Sequence, residues 1–572
     1  MNDNKSLYEL WKTNAVLDAE LKAELDGIEG NDEQINDRFY RELEFGTGGL
    51  RGVIGAGTNR MNVYTVGRAT QGLADYLNGE FEEPAVAVAY DTRNKSELFA
   101  REAASVLAAN NIKVFMFEEP VPTPMLSYAL RELGCASGII ITASHNPAKY
   151  NGYKCYDPNG YQMTDEAADK TYGFIKNVDM FTGIKRISFE QGLKQDMIDY
   201  IEEWIYEGFY ESVLERRVNK SVCAAADLKV IYTPLNGTGN KPVRHILAKS
   251  GVKDVTVVAE QELPDGNFPT CPFPNPEIRQ SFECALKLSE DIKADLLLAT
   301  DPDCDRVGIA VLDEGEYKLM TGNEVGAMLT RYILGQLKQS GKLPDDAVVV
   351  KSIVTTPLIN VICSSYGVQT AEFLTGFKYI GEYITQLEQK GELDRFILGM
   401  EESYGYLSGS HARDKDAVVA SMLVCEMAAW CKTQGITLYG FMQKIYEEYG
   451  FYLNRLDNYG FEGASGMQRM GDIMTGLRQA PPAAVAGDSV VRTVDYKSGE
   501  VCNKLDGTCG KTGLPPSNVL SFTLKKGDTV VVRPSGTEPK LKIYITSKAG
   551  SREESMSRAA QLSASMKEII GA

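Results

Sequence analysis

Short apolar strands and longer helical segments alternate along the first three quarters of this chain, and this alternation restricts the fold more than any other feature. Apolar, often β-branched runs occupy 85–90, 228–232 and 347–350, while 96–110 and 323–338 have helical period. Such alternation predicts α/β domains with mixed, mostly parallel sheets, because parallel strands need a crossover connection that is usually a helix. The 572 residues correspond to roughly four domains of ordinary size.

A weak internal repeat supports this organisation. Strands end in polar turns at 90–93, 232–235 and 351–354, and each is followed later by a second apolar strand that ends in a polar loop, at 138–144, 294–301 and 395–401. Ligands of open α/β sheets bind at the carboxyl ends of strands, so three related domains sharing one cleft are expected. Chance is the alternative, since an apolar strand followed by a polar loop is common in α/β proteins.

The last part of the chain has a different pattern. Pro481-Pro482 and the Gly/Lys/Asp-rich stretch 497–513 are typical of loops, 529–533 and 540–546 of strands, and 551–570 of an amphipathic helix. These elements predict a smaller C-terminal α+β domain. The expected domains are therefore 1–210, 211–325, 326–452 and 453–572.

Composition excludes several classes of partner and site. The formal net charge of −18 makes a nucleic acid or an anionic membrane surface an unexpected partner. The eleven cysteines contain no C-x-x-C pair, which argues against a disulfide scaffold or zinc ribbon and favours free thiols in a reducing compartment. The N-terminal segment is polar and no stretch is apolar enough to span a membrane, so a cytoplasmic protein is expected.

Four polar loops carry residues suited to chemistry. The first is Thr142-Ala-Ser-His-Asn-Pro147, in which Ser144 follows a predicted buried strand and would be exposed as a nucleophile. A serine needs a base or a metal to activate it; His145 is adjacent, and Lys154 could return from the following turn. An Asn-Pro turn decorated by hydrogen-bonding side chains is the alternative. A serine hydrolase is disfavoured, because no G-x-S-x-G elbow is present.

The second loop, Asp301-Pro-Asp-Cys-Asp-Arg306, concentrates the carboxylates of Asp301, Asp303 and Asp305. Their mutual repulsion favours a bound cation, and hard oxygen ligands favour Mg²⁺, Mn²⁺ or Ca²⁺ over zinc. An EF-hand would need Gly at loop position 6 and Glu at position 12, where this chain has Arg306 and Leu312. A Mg²⁺ site at a strand end is therefore preferred over an EF-hand and over a solvated acidic turn.

The third loop, Met400-Glu-Glu-Ser-Tyr-Gly405, offers Glu401 and Ser403 as hydrogen-bonding groups for vicinal sugar hydroxyls. A turn at a helix N-terminus is the simpler interpretation of this loop. The nearby run Arg413-Asp-Lys-Asp416 supplies Lys415 as a candidate proton carrier or anion contact, although a salt-bridged surface turn would give the same pattern.

The fourth loop, Arg533-Pro-Ser-Gly-Thr-Glu-Pro-Lys540, contains a tight turn whose backbone N–H groups could form an anion nest. Ser535 and Thr537 add hydroxyls, and Arg533 and Lys540 add positive charge suited to phosphate. A plain β-turn is the alternative. Together the four loops supply a nucleophile, a cation site, a reader of hydroxyls and a separate phosphate site, the set needed for phosphoryl transfer on a phosphorylated sugar.

The sequence resembles the α-D-phosphohexomutase superfamily, and is most similar to its long bacterial phosphoglucomutase/phosphomannomutase type. The motifs that carry the resemblance span the chain in the expected order: Phe45-Gly-Thr-Gly-Gly-Leu-Arg51-Gly, Thr142-Ala-Ser-His-Asn-Pro147, Asn151-Gly-Tyr-Lys154, Asp301-Pro-Asp-Cys-Asp-Arg306, Leu374-Thr-Gly-Phe-Lys378, Glu401-Glu-Ser-Tyr-Gly405 and Arg533-Pro-Ser-Gly-Thr-Glu538.

The resemblance implies a role for each matching residue. Ser144 would carry the transferred phosphoryl group and, with Asp301, Asp303 and Asp305, hold Mg²⁺. Arg51 and Arg306 would stabilise the phosphoryl in transit, and His145, Lys154 and Lys415 would handle protons or contact phosphate. The residues that would bind the sugar and its non-reacting phosphate are Thr375, Gly376, Glu401, Ser403, Arg533, Ser535, Gly536, Thr537 and Lys540.

The implied activity is a phosphohexomutase that interconverts glucose 1-phosphate and glucose 6-phosphate. The phosphoserine enzyme would form a bisphosphorylated sugar that turns end over end, with glucose 1,6-bisphosphate as activator. The four expected domains would then serve, in order, as phosphoserine, metal-binding, sugar-binding and phosphate-binding domains. The last would be hinged and would exclude water when closed.

Several alternatives remain open from the sequence. Mannose and pentose phosphates are the nearest other substrates, a glucose-1,6-bisphosphate synthase uses the same scaffold, and a non-catalytic sugar-phosphate binding protein is a third class. Three positions differ from the family pattern: Cys304 between two metal aspartates, Asn236 where relatives often have His, and Gly49 where they often have Ala. The sequence indicates neither the oligomeric state nor the phosphorylation state of Ser144.

Overall fold

The computed structural model describes residues 2–46, 48–461, 463–535 and 540–571, and divides them into two compact units. The first unit comprises 1–322 and 377–438, and the second comprises 323–376 and 439–572. No helix among the described residues is long and apolar enough to cross a bilayer.

The first stretch of the chain forms a six-stranded mixed sheet with helices packed on it. Strand order is β1-β5-β4-β2-β3-β6, with β2 parallel to β3 and β4, and β6 parallel to β3, while β5 runs antiparallel to β1 and β4. The elements are α1 (Asn2–Asn14), α2 (Ala19–Gly27), α3 (Asp32–Phe39), β1 (Gly49–Val53), α4 (Val63–Glu80), β2 (Ala85–Tyr90), α5 (Ser96–Ala109), β3 (Lys113–Met116), α6 (Thr123–Glu132), β4 (Ser137–Ile141), β5 (Tyr150–Tyr156), α7 (Asp165–Ile175), α8 (Phe189–Lys194), β6 (Ile198–Tyr200) and α9 (Glu203–Leu214).

The second stretch forms a five-stranded sheet in the order β11-β10-β9-β7-β8, in which the two pairs made by β7 are parallel and the pairs made by β10 are antiparallel. Its β9 is buried along its whole length, as expected for a central strand covered on both faces. The elements are α10 (Val222–Ala225), β7 (Lys229–Thr233), α11 (Asn240–Ser250), β8 (Asp254–Val257), α12 (Ala259–Glu262), α13 (Glu283–Leu288), β9 (Leu296–Thr300), β10 (Val307–Asp313) and β11 (Glu316–Met320).

The third stretch contributes to both units. The parallel pair of β12 and β13 lies in the second unit, and the antiparallel pair of β14 and β15 lies in the first, followed by the almost fully buried α17. The elements are α14 (Gly322–Gln339), β12 (Val348–Ser352), α15 (Leu358–Tyr366), β13 (Gln369–Phe373), α16 (Phe377–Gln389), β14 (Phe396–Glu401), β15 (Gly405–Leu407), α17 (Ala417–Thr433) and α18 (Leu438–Tyr449).

The C-terminal stretch is a smaller α+β domain with its own apolar core between the sheet and two helices. Its antiparallel strands follow the order β16-β23-β22-β21-β18-β19-β20, with β17 paired to β18. The elements are β16 (Phe451–Gly460), α19 (Gly463–Gln479), β17 (Ala484–Val485), β18 (Asp488–Asp495), β19 (Glu500–Asn503), β20 (Cys509–Lys511), β21 (Leu520–Leu524), β22 (Thr529–Pro534), β23 (Lys540–Ala549) and α20 (Arg552–Ile570).

The predicted α/β organisation with a smaller C-terminal domain is confirmed, and two local expectations are wrong. The stretch 497–513, predicted as loop, contains the hairpin of β19 and β20, whose connection includes Asp506-Gly507, a pair that favours tight turns. Cys502 and Cys509 face each other across this hairpin and form a disulfide, so these two thiols are not free. The other nine cysteines form no disulfide among the described residues, and eight of them are buried.

Candidate active site

The Ser144 loop begins where β4 ends, and its backbone is held in an unusual conformation. Ser144 is a buried non-glycine residue with a φ of 50°, in the left-handed region, and its N–H donates to Thr142 Oγ1 at 2.8 Å. Its Oγ donates to Asp301 Oδ2 at 2.8 Å and lies 3.2 Å from His145 Nδ1. A non-glycine residue persists in this region only when its surroundings impose it, so the loop is built to present this hydroxyl.

The acidic loop begins where β9 ends. Asp301, Asp303 and Asp305 each offer a carboxylate oxygen, and these oxygens lie within 4.8 Å of one another. Asp301 Oδ1 accepts from the backbone N–H groups of Asp305 and Arg306 at 3.1 and 3.0 Å, which curls the loop around it. The intervening Cys304 has a φ of 50° and is fully buried. This residue, which differs from the family pattern, therefore lies at a turn, and the three carboxylates remain close to one another.

These carboxylates fit a divalent cation. All three are buried, and Oδ1 of both Asp303 and Asp305 has no hydrogen-bond partner among the described residues. A buried acceptor left unpaired is costly, and a bound cation would satisfy both oxygens. The all-oxygen donor set favours Mg²⁺, Mn²⁺ or Ca²⁺.

The titration of these groups reflects their crowding. Burial, reinforced by repulsion from the two neighbouring carboxylates, raises the pKa of Asp301 well above its usual value. Burial and Asp303 likewise raise the pKa of Asp305. Burial also acts to raise the pKa of Asp303, but Lys154, a hydrogen bond from Asp301 and Lys415 outweigh it, so this pKa is lowered. Burial and mutual repulsion therefore oppose the ionisation of Asp301 and Asp305.

Two lysines approach the acidic loop from different elements. Lys154 Nζ, on β5, lies 3.2 Å from Asp303 Oδ2, and Lys415 Nζ, just before α17, lies 3.0 Å from Asp305 Oδ2. Burial acts to lower the pKa of Lys415, but Asp305 and Asp414 outweigh it and raise this pKa. Lys415 is therefore a permanent cation at neutral pH.

Two arginines add positive charge to the same region. Arg306 NH1 donates to Glu277 Oε1 at 2.8 Å, and its Nε is buried with no hydrogen-bond partner among the described residues. Arg51, on β1 opposite Gly152 of β5, is solvent-exposed and interacts electrostatically with Asp303 and Arg306. These guanidinium groups can stabilise an anion that develops beside Ser144.

His145 is a neutral imidazole in this environment. Burial, followed by the positive charges of Arg306 and Arg51, lowers its pKa well below the usual value. Its ring packs edge-on against Phe273, with the centroids 5.8 Å apart. A neutral imidazole beside Ser144 Oγ can accept a proton.

The third predicted loop joins β14 to β15 in a tight turn and does not begin a helix. Glu401 is buried at the end of β14, and its carboxylate interacts electrostatically with Arg306 and Lys415. Ser403 lies in the turn, where the carbonyl of Tyr404 accepts from Val307 N–H at 3.1 Å. This bond ties the turn to the strand that follows the acidic loop.

The remaining predicted residues lie in the second unit. Thr375 and Gly376 follow β13, and Thr375 Oγ1 is buried without a hydrogen-bond partner among the described residues. Arg533 and Ser535 lie at the end of β22, and Ser535 N–H donates to the carbonyl of Lys540 at 2.7 Å, which closes the hairpin. Two further predicted residues, Gly536 and Thr537, lie outside the described part of the chain.

Four models of one family match the chain in order. They describe α/β/α domains I, II and III and the C-terminal domain of phosphoglucomutase/phosphomannomutase, and match residues 42–181, 207–315, 321–449 and 482–563. The chain belongs to the phosphoglucomutase/phosphomannomutase family. It is therefore an enzyme of the phosphoryl-transferring isomerases.

Individual relatives agree with this assignment. Phosphoglucomutase of Staphylococcus haemolyticus is 35% identical over 89% of this chain and 91% of its own length. The fold matches the open form of the Paramecium phosphoglucomutase parafusin, with a TM-score of 0.67 and 18% identity over 93% of this chain and 96% of that one. It also matches N-acetylphosphoglucosamine mutase of Aspergillus fumigatus in complex with GlcNAc-6P and magnesium, with a TM-score of 0.52 and 15% identity over 93% and 96% of the two chains.

Several side chains that hold residues of the candidate site in position were not identified from the sequence. Tyr156 Oη donates to Asp414 Oδ2 at 2.6 Å, and Asp414 Oδ1 lies 2.9 Å from Lys415 Nζ. Asp414 thus links β5 to the lysine beside the acidic loop. Its only signal in the sequence was its position next to Lys415. Arg93, the last residue of the polar turn 90–93 after β2, contacts the Ser144 loop, which its local sequence pattern does not indicate.

The second family departure, Asn236, has a structural role. Its backbone lies in the left-handed region, with a φ of 56°, which asparagine tolerates better than most residues. Its Nδ2 donates to the carbonyl of Leu263 at 2.8 Å, and its N–H donates to the carbonyl of Gln261. Asn236 therefore stabilises the turn after β7.

Proposed function

We propose that this enzyme interconverts glucose 1-phosphate and glucose 6-phosphate through a phosphorylated Ser144 and a bisphosphorylated sugar. The observation that carries the proposal is the contact of Ser144 Oγ with Asp301, one of three clustered aspartates, at 2.8 Å. This contact supports the proposal, because it joins the candidate nucleophile to a carboxylate cluster that could bind a cation and that has positively charged side chains around it. The choice of glucose rests on the likeness to phosphoglucomutases.

Asp301, Asp303 and Asp305, together with an oxygen on phosphorylated Ser144, would hold Mg²⁺. The magnesium in the complex of the Aspergillus fumigatus mutase supports this choice among the hard divalent cations. When bound, the cation neutralises charge on the transferring phosphoryl group.

The protein's own side chains would carry the rest of the transfer. In the first half-reaction, the bond between phosphorus and Ser144 Oγ breaks and a bond to a sugar oxygen forms. Arg51 and Arg306 would stabilise the charge on the phosphoryl oxygens, and Lys154 and Lys415 would bind phosphate as fixed cations. The proton of the attacking sugar hydroxyl would pass to the neutral His145. His145 Nδ1 lies 3.2 Å from Ser144 Oγ and would give a proton to that oxygen as its bond to phosphorus breaks.

The second half-reaction returns the other phosphate to Ser144 after the bisphosphate has turned over. We propose that Glu401 and Ser403 bind sugar hydroxyls, joined by Thr375 and Gly376. The loop that contains Arg533, Ser535, Gly536, Thr537 and Lys540 would bind the phosphate that is not reacting. Glucose 1,6-bisphosphate would activate the enzyme by phosphorylating Ser144. The four matched ranges support our division of the chain into phosphoserine, metal, sugar and phosphate domains.

A coupled assay tests the proposal. Glucose 6-phosphate formation from glucose 1-phosphate would be followed with Mg²⁺ and a trace of glucose 1,6-bisphosphate, for the wild type and for Ser144→Ala. The matched control is Ser137→Ala, which removes the buried hydroxyl at the start of β4, bonded to the carbonyl of Tyr156. We expect turnover in the wild type and in the control, and none with Ser144→Ala.

Other outcomes point to the alternatives. Substantial turnover by Ser144→Ala would reject the phosphoserine role. No turnover by the wild type would reject glucose as the substrate, and mannose and pentose phosphates would be tested next. Net synthesis of glucose 1,6-bisphosphate from a bisphosphoglycerate-type donor would instead indicate the synthase.

A further inference from the structure

Arg93 is a buried side chain whose donors converge on the loop that carries the nucleophile. Its NH1 donates to the carbonyl oxygens of Pro147 and Tyr150, at 3.2 and 3.3 Å. Its NH2 donates to the carbonyl oxygens of Ser144 and Asn146. Each of the four terminal N–H bonds of the guanidinium group thus has its own backbone acceptor within 144–150.

Arg93 is itself fixed from two sides. Its side chain and that of Asp91 are fully buried, and Arg93 Nε lies 3.3 Å from Asp91 Oδ2. The ring of Phe268, in the domain that carries the acidic loop, packs on the guanidinium group at 5.0 Å. Asp91 Oδ1 also accepts from the N–H of Arg93 and from Ser96 Oγ, which anchors the turn at the start of α5. This support leaves the guanidinium group little freedom to move.

The loop needs such an anchor because its conformation is not locally favoured. Ser144 has a φ of 50°, and its Oγ must stay in contact with Asp301, which belongs to the next sheet. Buried carbonyl groups need donors. The carbonyl of Pro147 also accepts from the N–H of Tyr150 at 3.0 Å, whereas Arg93 is the donor to the carbonyls of Ser144 and Asn146. A planar guanidinium group can donate to four such acceptors at once from its two terminal nitrogens, whereas the single nitrogen of an ammonium group cannot reproduce this arrangement.

We propose that Arg93 is a positioning residue of the phosphoryl transfer, which holds Ser144 Oγ at the acidic loop by clamping the backbone of 144–150. Through Phe268, the same side chain couples this loop to the domain that carries the three aspartates. The loop backbone uses all of its terminal N–H donors, so Arg93 has none to offer the phosphoryl group or the sugar. Its loss should therefore lower kcat while substrate binding, reported by KM, changes little. The inference rests on the proposed function.

The test compares Arg93→Lys with Arg68→Lys, using the full-length protein and the glucose 1-phosphate assay. Arg68 also donates to a backbone carbonyl, that of Val178, and pairs with Glu42, but it contacts no residue of the Ser144 loop. We expect Arg93→Lys to lower kcat by about 100-fold with KM changed by less than about threefold, since small misplacements of reacting groups cost about this much. Arg68→Lys should leave both within about twofold of the wild type.

The outcomes separate this inference from the proposed function. A wild type that turns over no sugar phosphate overturns the proposed function, and the inference with it. With an active wild type, a folded Arg93→Lys variant that keeps its kcat, or that changes only KM, overturns the inference alone. If Arg93→Lys gives no cooperative thermal transition, kcat and KM are measured for Phe268→Leu instead. A kcat reduced by at least about threefold at unchanged KM supports the coupling, and an unchanged kcat overturns it.

Discussion

At the scale of single residues, three loops of the first unit each contain a non-glycine residue with a positive φ. Ser144, Cys304 and Tyr404 are non-glycine residues with φ values of 50°, 50° and 66°. Each costs conformational free energy, and each occurs where a strand end turns toward the candidate site. Of the eleven such residues in the described part of the chain, these three lie at turns toward the candidate site, where surrounding hydrogen bonds offset the cost.

Replacing Asp303 by Asn should remove most of the stabilisation that Mg²⁺ gives to the folded protein. A ligand that binds only the native state stabilises it by about 2.7 kcal/mol at a concentration 100 times Kd. Asp303 supplies a buried oxygen that has no hydrogen-bond partner among the described residues, so its loss weakens the site. Thermal unfolding midpoints in EDTA and in Mg²⁺ would show a clear increase for the wild type and little or none for the variant.

The control for this measurement is Asp313→Asn, which removes a carboxylate of the same domain that pairs with Lys318. This control should keep the wild-type response to Mg²⁺. An undiminished response in Asp303→Asn would mean that the acidic loop does not bind the ion.

The sequence was sufficient to find the residues that lie in compact local patterns. The alternating aspartates at 301–305 and the serine after an apolar strand are visible without tertiary information. Arg93 and the pair of Tyr156 and Asp414 were missed, because their partners lie far away in the chain and only the fold brings them together.

At the scale of elements, the ends of three strands place the site. Ser144 follows β4, Asp301 follows β9, and Glu401 ends β14. The turn from β14 to β15 is also set by a close approach, because Gly405 lies directly against the aliphatic stem of Lys415. A Cβ atom at Gly405 would stand 2.2 Å from Lys415 Cδ.

Gly405→Ala should therefore displace Lys415 from Asp305 without unfolding the protein. The Lys415 stem is flexible enough to move aside, so the cost is expected in catalysis and not in folding. We expect kcat to fall by about tenfold, less than the roughly 10²–10³-fold cost of removing a positioned group, because Lys415 is displaced and not lost. Kinetics of the purified variant, with circular dichroism as a check on folding, would measure this.

Gly79→Ala serves as the matched control, because no atom lies within 4 Å of a Cβ built at this position near the end of α4. It should leave kcat unchanged. Equal kcat values for the Gly405 and Gly79 variants would show that the approach of Lys415 to this turn is unimportant.

Strand and helix positions were largely predictable from local patterns. The predicted strand 85–90 matches β2, and the predicted helix 96–110 matches α5 to within one residue. The hairpin of β19 and β20 was missed because its composition is rich in glycine and charged residues, and it is stabilised by pairing with β18. Local propensity was overridden there by the neighbouring strand.

At the scale of the whole molecule, the N-terminal helices are part of the first domain's core. They precede the matched family range, which begins at residue 42. Nevertheless, Trp11 of α1 is 1% exposed and packs edge-on against Phe39, Tyr64 and Phe181, with ring centroids 5.5 to 6.0 Å apart. The three helices therefore stabilise the domain that carries Ser144.

Trp11→Ala should lower the free energy of unfolding by about 3–5 kcal/mol, the usual cost of truncating a buried aromatic side chain. Urea unfolding followed by fluorescence would measure it. The neighbouring Leu10 is 48% exposed, so Leu10→Ala should have a much smaller effect. If the two variants unfolded at the same urea concentration, the N-terminal helices would not be part of this core.

The fold class and the smaller C-terminal domain were predictable because strand–helix alternation runs through the first three quarters of the chain and gives way to a different pattern after them. The packing of the N-terminal helices into the core of the first domain was not predictable. Their aromatic side chains contact residues distant in sequence, such as Phe181, and no local sequence pattern indicates these contacts.

Phosphoryl transfer through Ser144 is the central claim, and labelling tests it most directly. The protein would be incubated with Mg²⁺ and glucose 1,6-bisphosphate labelled in its phosphates, digested, and its labelled peptide identified. A chase with unlabelled glucose 1-phosphate would follow. We predict that the label appears on Ser144 alone and leaves with the sugar during the chase. Label on another residue, or label on Ser144 that the chase does not remove, would contradict the account.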